Sequence, residues 1–241
     1  MCNNLHFENY INYQNQEVWD KVNSIYNIKL IYNSSEYSWA SKTEGNYAEI
    51  VTPTLEIDLE SFTHELLHIY LDYLGLTKYD DFINSKTGKN SFELLRYKSD
   101  LASFIYNLAS HRKMFPYYNK MGFCSKKFVQ ERINFNDNLL IQLENLSHNN
   151  CQIDFIHNFI GNVYSLMNNV VKQDEKKCKN FLFKLRKVKP ELFDIIYNFD
   201  FEWTKSKDLN LLHYFIEFEN DLEIWLIKNN LTIENNYCRL Y

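Results

Sequence analysis

The stretch ESFTHELLHIYLDYLG, Glu60 to Gly75, is apolar on nearly every side, with Phe62, Leu66, Leu67, Ile69, Tyr70, Leu71, Tyr73 and Leu74 following Leu59. Asp58 suits the N-cap position, where a side-chain oxygen accepts from the first free backbone N–H groups, and Gly75 suits the residue just past a C-terminus. The pattern predicts one helix over Leu59–Leu74, about 24 Å long at about 1.5 Å per residue. Set into this cylinder are His64, Glu65 and His68. Residues four apart share a helix face, so both imidazoles can reach a point ~2.0–2.1 Å from each nitrogen, as a zinc ion requires. Glu65 is turned by about 100° and can touch a water beside such an ion without ligating it.

A H-E-x-x-H match arises by chance in a chain of this composition with a probability of about 0.015, so its surroundings must carry the reading. The bland alternative is a half-buried helix whose stripe Ser61, His64, Glu65, His68, Asp72 faces water. Solvated stripes usually carry Lys or Arg, and none occurs from Thr43 through Thr77, whereas Glu44, Glu49, Glu56, Asp58, Glu60, Glu65 and Asp72 do. Two imidazoles and a carboxylate on an otherwise greasy helix need a common partner, and a cation would provide it.

The rest of the chain frames this helix. Its 241 residues are 45% hydrophobic, enough for a sizeable core, and 5 Gly and 3 Pro favour long helices over a turn-rich sandwich. Upstream, QNQEVWDKVNSI has helical spacing with Val18, Val22 and Ile25 on one side. NIKLIYNS and YSWASKTEGNYAEIVTP read as strands, with a turn at Thr43–Asn46. Downstream, a second long helix is expected from Ser91 or Ser99 to about Arg112, ending before Pro116. From Ser125 onward one amphipathic segment follows another, including PELFDIIYNF with Pro190 as its first helical residue. The expected fold is α+β and predominantly helical. A small core of few strands, the histidine helix and the helix after it (1–124) joins a helical C-terminal lobe (125–241) without a hinge, as one unit.

A net charge of −5 argues against a dominant nucleic-acid footprint. The basic segment KKCKNFLFKLRKVK, Lys176 to Lys189, is read first as a solvated amphipathic helix and second as a surface for nucleic acid or an acidic helix. Five widely spaced cysteines without a C-x-x-C pair read as reduced thiols. MCNNLHFENY lacks the basic start and apolar centre of a signal peptide, and no apolar run reaches the ~18 residues of a membrane span. A cytoplasmic location is the expectation.

THELLH on a helix that follows a run of strands resembles the signature of the zincin metallopeptidases, over about residues 28 to 115. The resemblance implies a zinc cofactor, His64 and His68 as two of three protein ligands, and Glu65 as general base. Metzincins place Gly three and His six residues after the second histidine, where this chain has Leu71 and Leu74, so that subgroup is excluded. In gluzincin-like enzymes an acidic ligand comes from the next helix. Glu93, 25 residues after His68, fits that spacing, and simple hairpin geometry favours Asp100. His111 is the candidate preferred by ligand chemistry, since neutral imidazole suits zinc. Its surroundings, NLASHRKMFPYYNKMGF, look like segments downstream of the signature in bacterial zincin-like proteins. Its other reading is a histidine satisfying a helix C-terminus.

His148, His157 and His213 show no ligand spacing and read as core-edge residues. Tyr117, Tyr118 or His213 could serve an oxyanion, and Tyr47–Val51 could pair with an extended peptide, with core packing as the alternative. The expected function is a zinc-dependent hydrolase that cleaves protein or peptide substrates, with a regulatory protein partner in a bacterial stress or defence setting if the likeness extends to the ImmA/IrrE metalloproteases. The alternative is a non-catalytic helical scaffold with a structural metal or none.

Overall fold

The computed structural model describes residues 3–4, 6–78, 81, 99–128, 140–141, 152–168 and 175–230. Its architecture is predominantly helical α+β. In chain order the elements are β1 (Asn3–Asn4), a 3-10 turn (Phe7–Asn9), α1 (Gln16–Asn23), β2 (Asn27–Tyr32), β3 (Ala40–Glu44), β4 (Tyr47–Thr52), α2 (Leu59–Tyr73), α3 (Ser99–Lys120), α4 (Ser125–Phe128), α5 (Gln152–Met167), α6 (Glu175–Val188), α7 (Pro190–Lys205) and α8 (Leu211–Lys228).

These elements form two compact units. One comprises Met1–Leu76 with Ser110–Gln130, the other Thr77–Ala109 with Glu131–Tyr241. Where the sequence reading sets a single boundary at 124/125, the chain thus passes between units three times, and the second half of α3 belongs with α2.

In the first unit the sheet order is β1-β2-β4-β3. β2 and β4 run parallel, with Leu30 opposite Ile50, while β3 folds back antiparallel on β4, with Ser41 opposite Ile50 and Thr43 opposite Ala48. The hairpin turns at Gly45, whose φ of 58° lies in the left-handed region that glycine adopts without strain. Alternation decides what is buried: Ile28 and Leu30 on β2 and Ala48, Ile50 and Thr52 on β4 point inward. β4 is paired on both edges, so of the two readings of Tyr47–Val51, an edge for an extended peptide or core packing, the first does not hold. The outer strand on that side is β3.

The helix α2 packs on α1, β3, β4 and α4. Asp58 caps it as the sequence predicts, accepting from Ser61 N at 3.1 Å. At the other end Gly75 (φ 94°) lets Leu76 N donate to Leu71 O at 2.9 Å, which satisfies an otherwise orphan carbonyl. Phe62, Leu66, Leu67, Ile69 and Leu71 are fully buried, and Phe62 sits in a cluster of rings with Phe7, Tyr10 and Trp19. α1 buries Val18 and Val22 but leaves Ile25, beyond its end, exposed.

The helix α3 does not stop before Pro116; it continues to Lys120. Proline removes one backbone donor, yet Met114 and Tyr118 on either side of it are fully buried, and Pro116 itself faces outward. Packing outweighs the lost hydrogen bond. In the second unit α7 contacts α5, α6 and α8, and Trp203 Nε1 donates to Ala109 O at 2.9 Å. α6, the basic segment, is amphipathic as read: Cys178, Phe181 and Leu185 are buried and its lysines exposed. No helix among the described residues is long and apolar enough to cross a membrane.

Candidate metal centre

His64 and His68 lie one turn apart on α2, and His111 comes from the second half of α3. Their ring nitrogens lie within 4.8 Å of one another, close enough to hold a metal ion. The Nε2 atoms of His64 and His111 are 3.0 Å apart. Tetrahedral bonds of ~2.0–2.1 Å would set neighbouring ligand nitrogens about 3.3–3.4 Å apart, so that pair already stands near coordination distance. The rings meet edge to face or tilted, with centroids 4.7 Å (His64–His111), 5.2 Å (His64–His68) and 5.4 Å (His68–His111) apart.

The donor set suits a cation. Burial lowers the pKa of His64 to about 4, and burial together with the charge of His64 lowers that of His68 to about 3. His111 is pushed well below its ordinary value by burial, then by His64 and His68. All three are thus neutral near pH 7, the form whose lone pair ligates metal. Without an ion, three imidazoles converge with one hydrogen bond between them. Whichever way that proton points, Nδ1 of His64 is buried without a hydrogen-bond partner.

Glu65, next to His64 in the chain, is tied to the sheet. Ser41 Oγ on β3 donates to Glu65 Oε2 at 2.8 Å. Glu65 and His64 are each only 8% exposed. Burial raises the pKa of Glu65 to about 7, against the hydrogen bond from Ser41, which lowers it. Two turns further along α2, Asp72 accepts from Thr43 Oγ1 of the same strand. The stripe Ser61, His64, Glu65, His68, Asp72 is therefore no solvated face: its first three members are buried and the other two half-buried.

Comparison with protein-family models, curated proteins and solved structures gives no match. The site therefore stands on its own geometry. Among the described candidates for the third ligand, His111 is the one brought to His64 and His68. Asp100 lies three turns, about 16 Å, earlier on α3, and Glu93 lies outside the described residues, as does His148. His157 is buried on α5, and His213 is exposed beside Glu217 at 3.6 Å. Tyr117 packs edge-on against Tyr70. Tyr118 is fully buried, with a hydroxyl that has no hydrogen-bond partner and a pKa raised beyond its usual range by burial, then by Glu60, Asp58 and Cys124. Those acidic neighbours stand in and before the first turn of α2, ahead of the histidines.

Two parts of the site have no counterpart in the sequence reading. Ser41 joins Glu65 across 24 residues, and alternation on β3, which puts Ser41 and Thr43 on one face, is the only signal that could have suggested it. Phe128 on α4 packs its ring against His64 and His111, with centroids 4.9 and 5.4 Å away. Nothing in its local sequence marks it out.

Proposed function

We propose that this chain is a zinc-dependent hydrolase acting on peptide bonds, with His64, His68 and His111 as ligands and Glu65 as general base. The convergence of three neutral imidazoles beside one buried carboxylate carries this reading. Three imidazoles suit several transition metals, and zinc is chosen because catalytic zinc commonly takes three protein ligands and keeps a position open. A bound zinc ion would supply Lewis acidity, acidifying water and polarising a carbonyl.

The protein's part is proton handling and positioning. Glu65 Oε2 is held by Ser41, which leaves Oε1 to take a proton and pass it to a leaving amine. A pKa of about 7 fits both duties at neutral pH. A peptide substrate is favoured because β3, the strand bearing Ser41, is the outer strand of the sheet and lies against α2. An extended chain added alongside it would use main-chain hydrogen bonds and pass close to Glu65.

One observation favours a second reading. The 3.0 Å separation of the two Nε2 atoms also suits a hydrogen bond between neutral imidazoles in a metal-free scaffold. Metal analysis of protein purified without added zinc separates the two: about one equivalent is expected, lost in His64→Ala, His68→Ala and His111→Ala. Glu65→Gln is expected to retain the metal and the fold and to lose hydrolysis of a peptide library. A wild-type protein that binds no zinc would sink the enzymatic reading.

A further inference from the structure

Metal-binding histidines ordinarily donate their second ring N–H to a carboxylate or a carbonyl, which fixes the tautomer and the orientation of the ring. Among the described residues none of these three does. The polar contact of His64 and His111 is the one they share, and His68 meets both through its ring alone. Nδ1 of His64 is buried and unbonded. Something else must hold the rings in place.

Packing against Phe128 supplies that constraint. Its ring is 1% exposed, tilted 49° to His64 and 65° to His111. Phe115 and Tyr118 back it, at 5.2 and 4.9 Å. The backbone beneath is tied to the histidine helix. Glu60 accepts from Cys124 N at 3.3 Å and pairs with Lys127, one turn ahead of His64 on α2. Helix, tether and ring form a closed circuit around His64, so the wedge keeps its place as long as α2 and α4 stay joined.

We infer that Phe128 is a positioning residue of the metal centre, an aromatic wedge that aims His64 and His111 where outer hydrogen bonds usually would. This rests on the metal reading above. An imidazole with no hydrogen bond at its far nitrogen can swing about its side-chain torsions once the neighbouring volume is removed, and ordering it again lowers affinity for the ion. Loss of outer contacts that orient ligands typically weakens metal binding 10–100-fold.

The test uses the full chain with two probes, Zn2+ titrated against a chromophoric chelator and Co2+ read by its visible absorption. Phe128→Ala is expected to raise the dissociation constant for both ions by about 10–100-fold and to change the Co2+ bands at saturation. Phe128→Leu, which keeps bulk but loses the flat ring, should fall between, and Phe128→Tyr should restore wild-type bands. Lys127→Ala, at an exposed position, should weaken binding by severalfold without unfolding the protein. Val22→Ala, a buried deletion on α1, is the control: it should lower thermal stability and leave affinity and bands unchanged. Wild-type affinity and bands in both Phe128→Ala and Phe128→Leu would overturn the inference while leaving the metal reading intact. Equal weakening by Val22→Ala would also overturn it, by showing a general loss of packing. Failure of the wild-type chain to bind either ion would overturn both.

Discussion

Replacing Glu65 by Gln should change how the metal-free protein responds to acid, and the size of the change follows from two neighbouring residues whose pKa values move in opposite directions. Burial takes His64 from 6.5 to about 4 and Glu65 from 4.5 to about 7. At ~1.36 kcal/mol per pH unit, each difference corresponds to about 3 kcal/mol of stability. The signs are opposite. His64, depressed in the folded state, contributes stability that is present above pH 6.5 and lost as pH falls through about 4. Glu65, raised in the folded state, contributes stability that is present below pH 4.5 and lost as pH rises through about 7. Between pH 8 and 5.5 the protein therefore loses about 1.4 kcal/mol through His64 and gains close to 2 kcal/mol through Glu65. His68 and His111 shift in the same direction as His64 and add to the loss. Glu65→Gln removes the offsetting term and keeps the shape, and Gln can still accept from Ser41. Urea unfolding in the presence of a chelator, followed by circular dichroism at pH 8 and pH 5.5, should show the variant losing about 2 kcal/mol more than wild type across that interval. The histidines contribute to both proteins and drop out of the difference. Parallel losses in the two proteins would refute the claim that Glu65 is buried at the cost of its charge.

Zinc at about 100 times its dissociation constant should stabilise the wild-type chain by ~2.7 kcal/mol, readable as a thermal shift of several degrees. His111→Ala should abolish that shift, and an undiminished one would remove His111 from the ligand set. Gly75→Ala should cost about 1 kcal/mol, because φ is 94° there although the space around it is open. Gly75→Asn should cost less, with both read from thermal melts.

The helix that carries the site was legible because every signal along it agrees. Asp58 at the cap, apolar residues all round and Gly75 past the end specify α2 almost to the residue, and two histidines four apart must then share a face. The third member of the histidine cluster was legible only as chemistry. Hairpin arithmetic favours Asp100 because it assumes a short return between helices, whereas His111 lies 43 residues beyond His68 and comes from the half of α3 that belongs to the first unit. The same limit hid the sheet order. A strand run followed by a hairpin signal suggests neighbours in sequence order, but β4 inserts between β2 and β3, and that rests on its pairing with both strands, which lies beyond any local pattern. Pro116 misled for a related reason, since a local rule about backbone donors was outweighed by the burial of Met114 and Tyr118.

Burial does three jobs in this site. It keeps the imidazoles neutral, so that no proton competes with a cation for their lone pairs near pH 7. It raises Glu65 to a pKa at which the carboxyl can both take and release a proton. It also replaces polar anchoring by packing, since the rings that converge have Phe128 rather than carboxylates against them. A solvated version of the same motif would have none of these properties, because exposed histidines titrate near 6.5 and an exposed glutamate near 4.3. The neutral imidazoles and the raised carboxyl therefore depend as much on the burial of α2 and on the ring of Phe128 as on the identity of the four polar residues themselves.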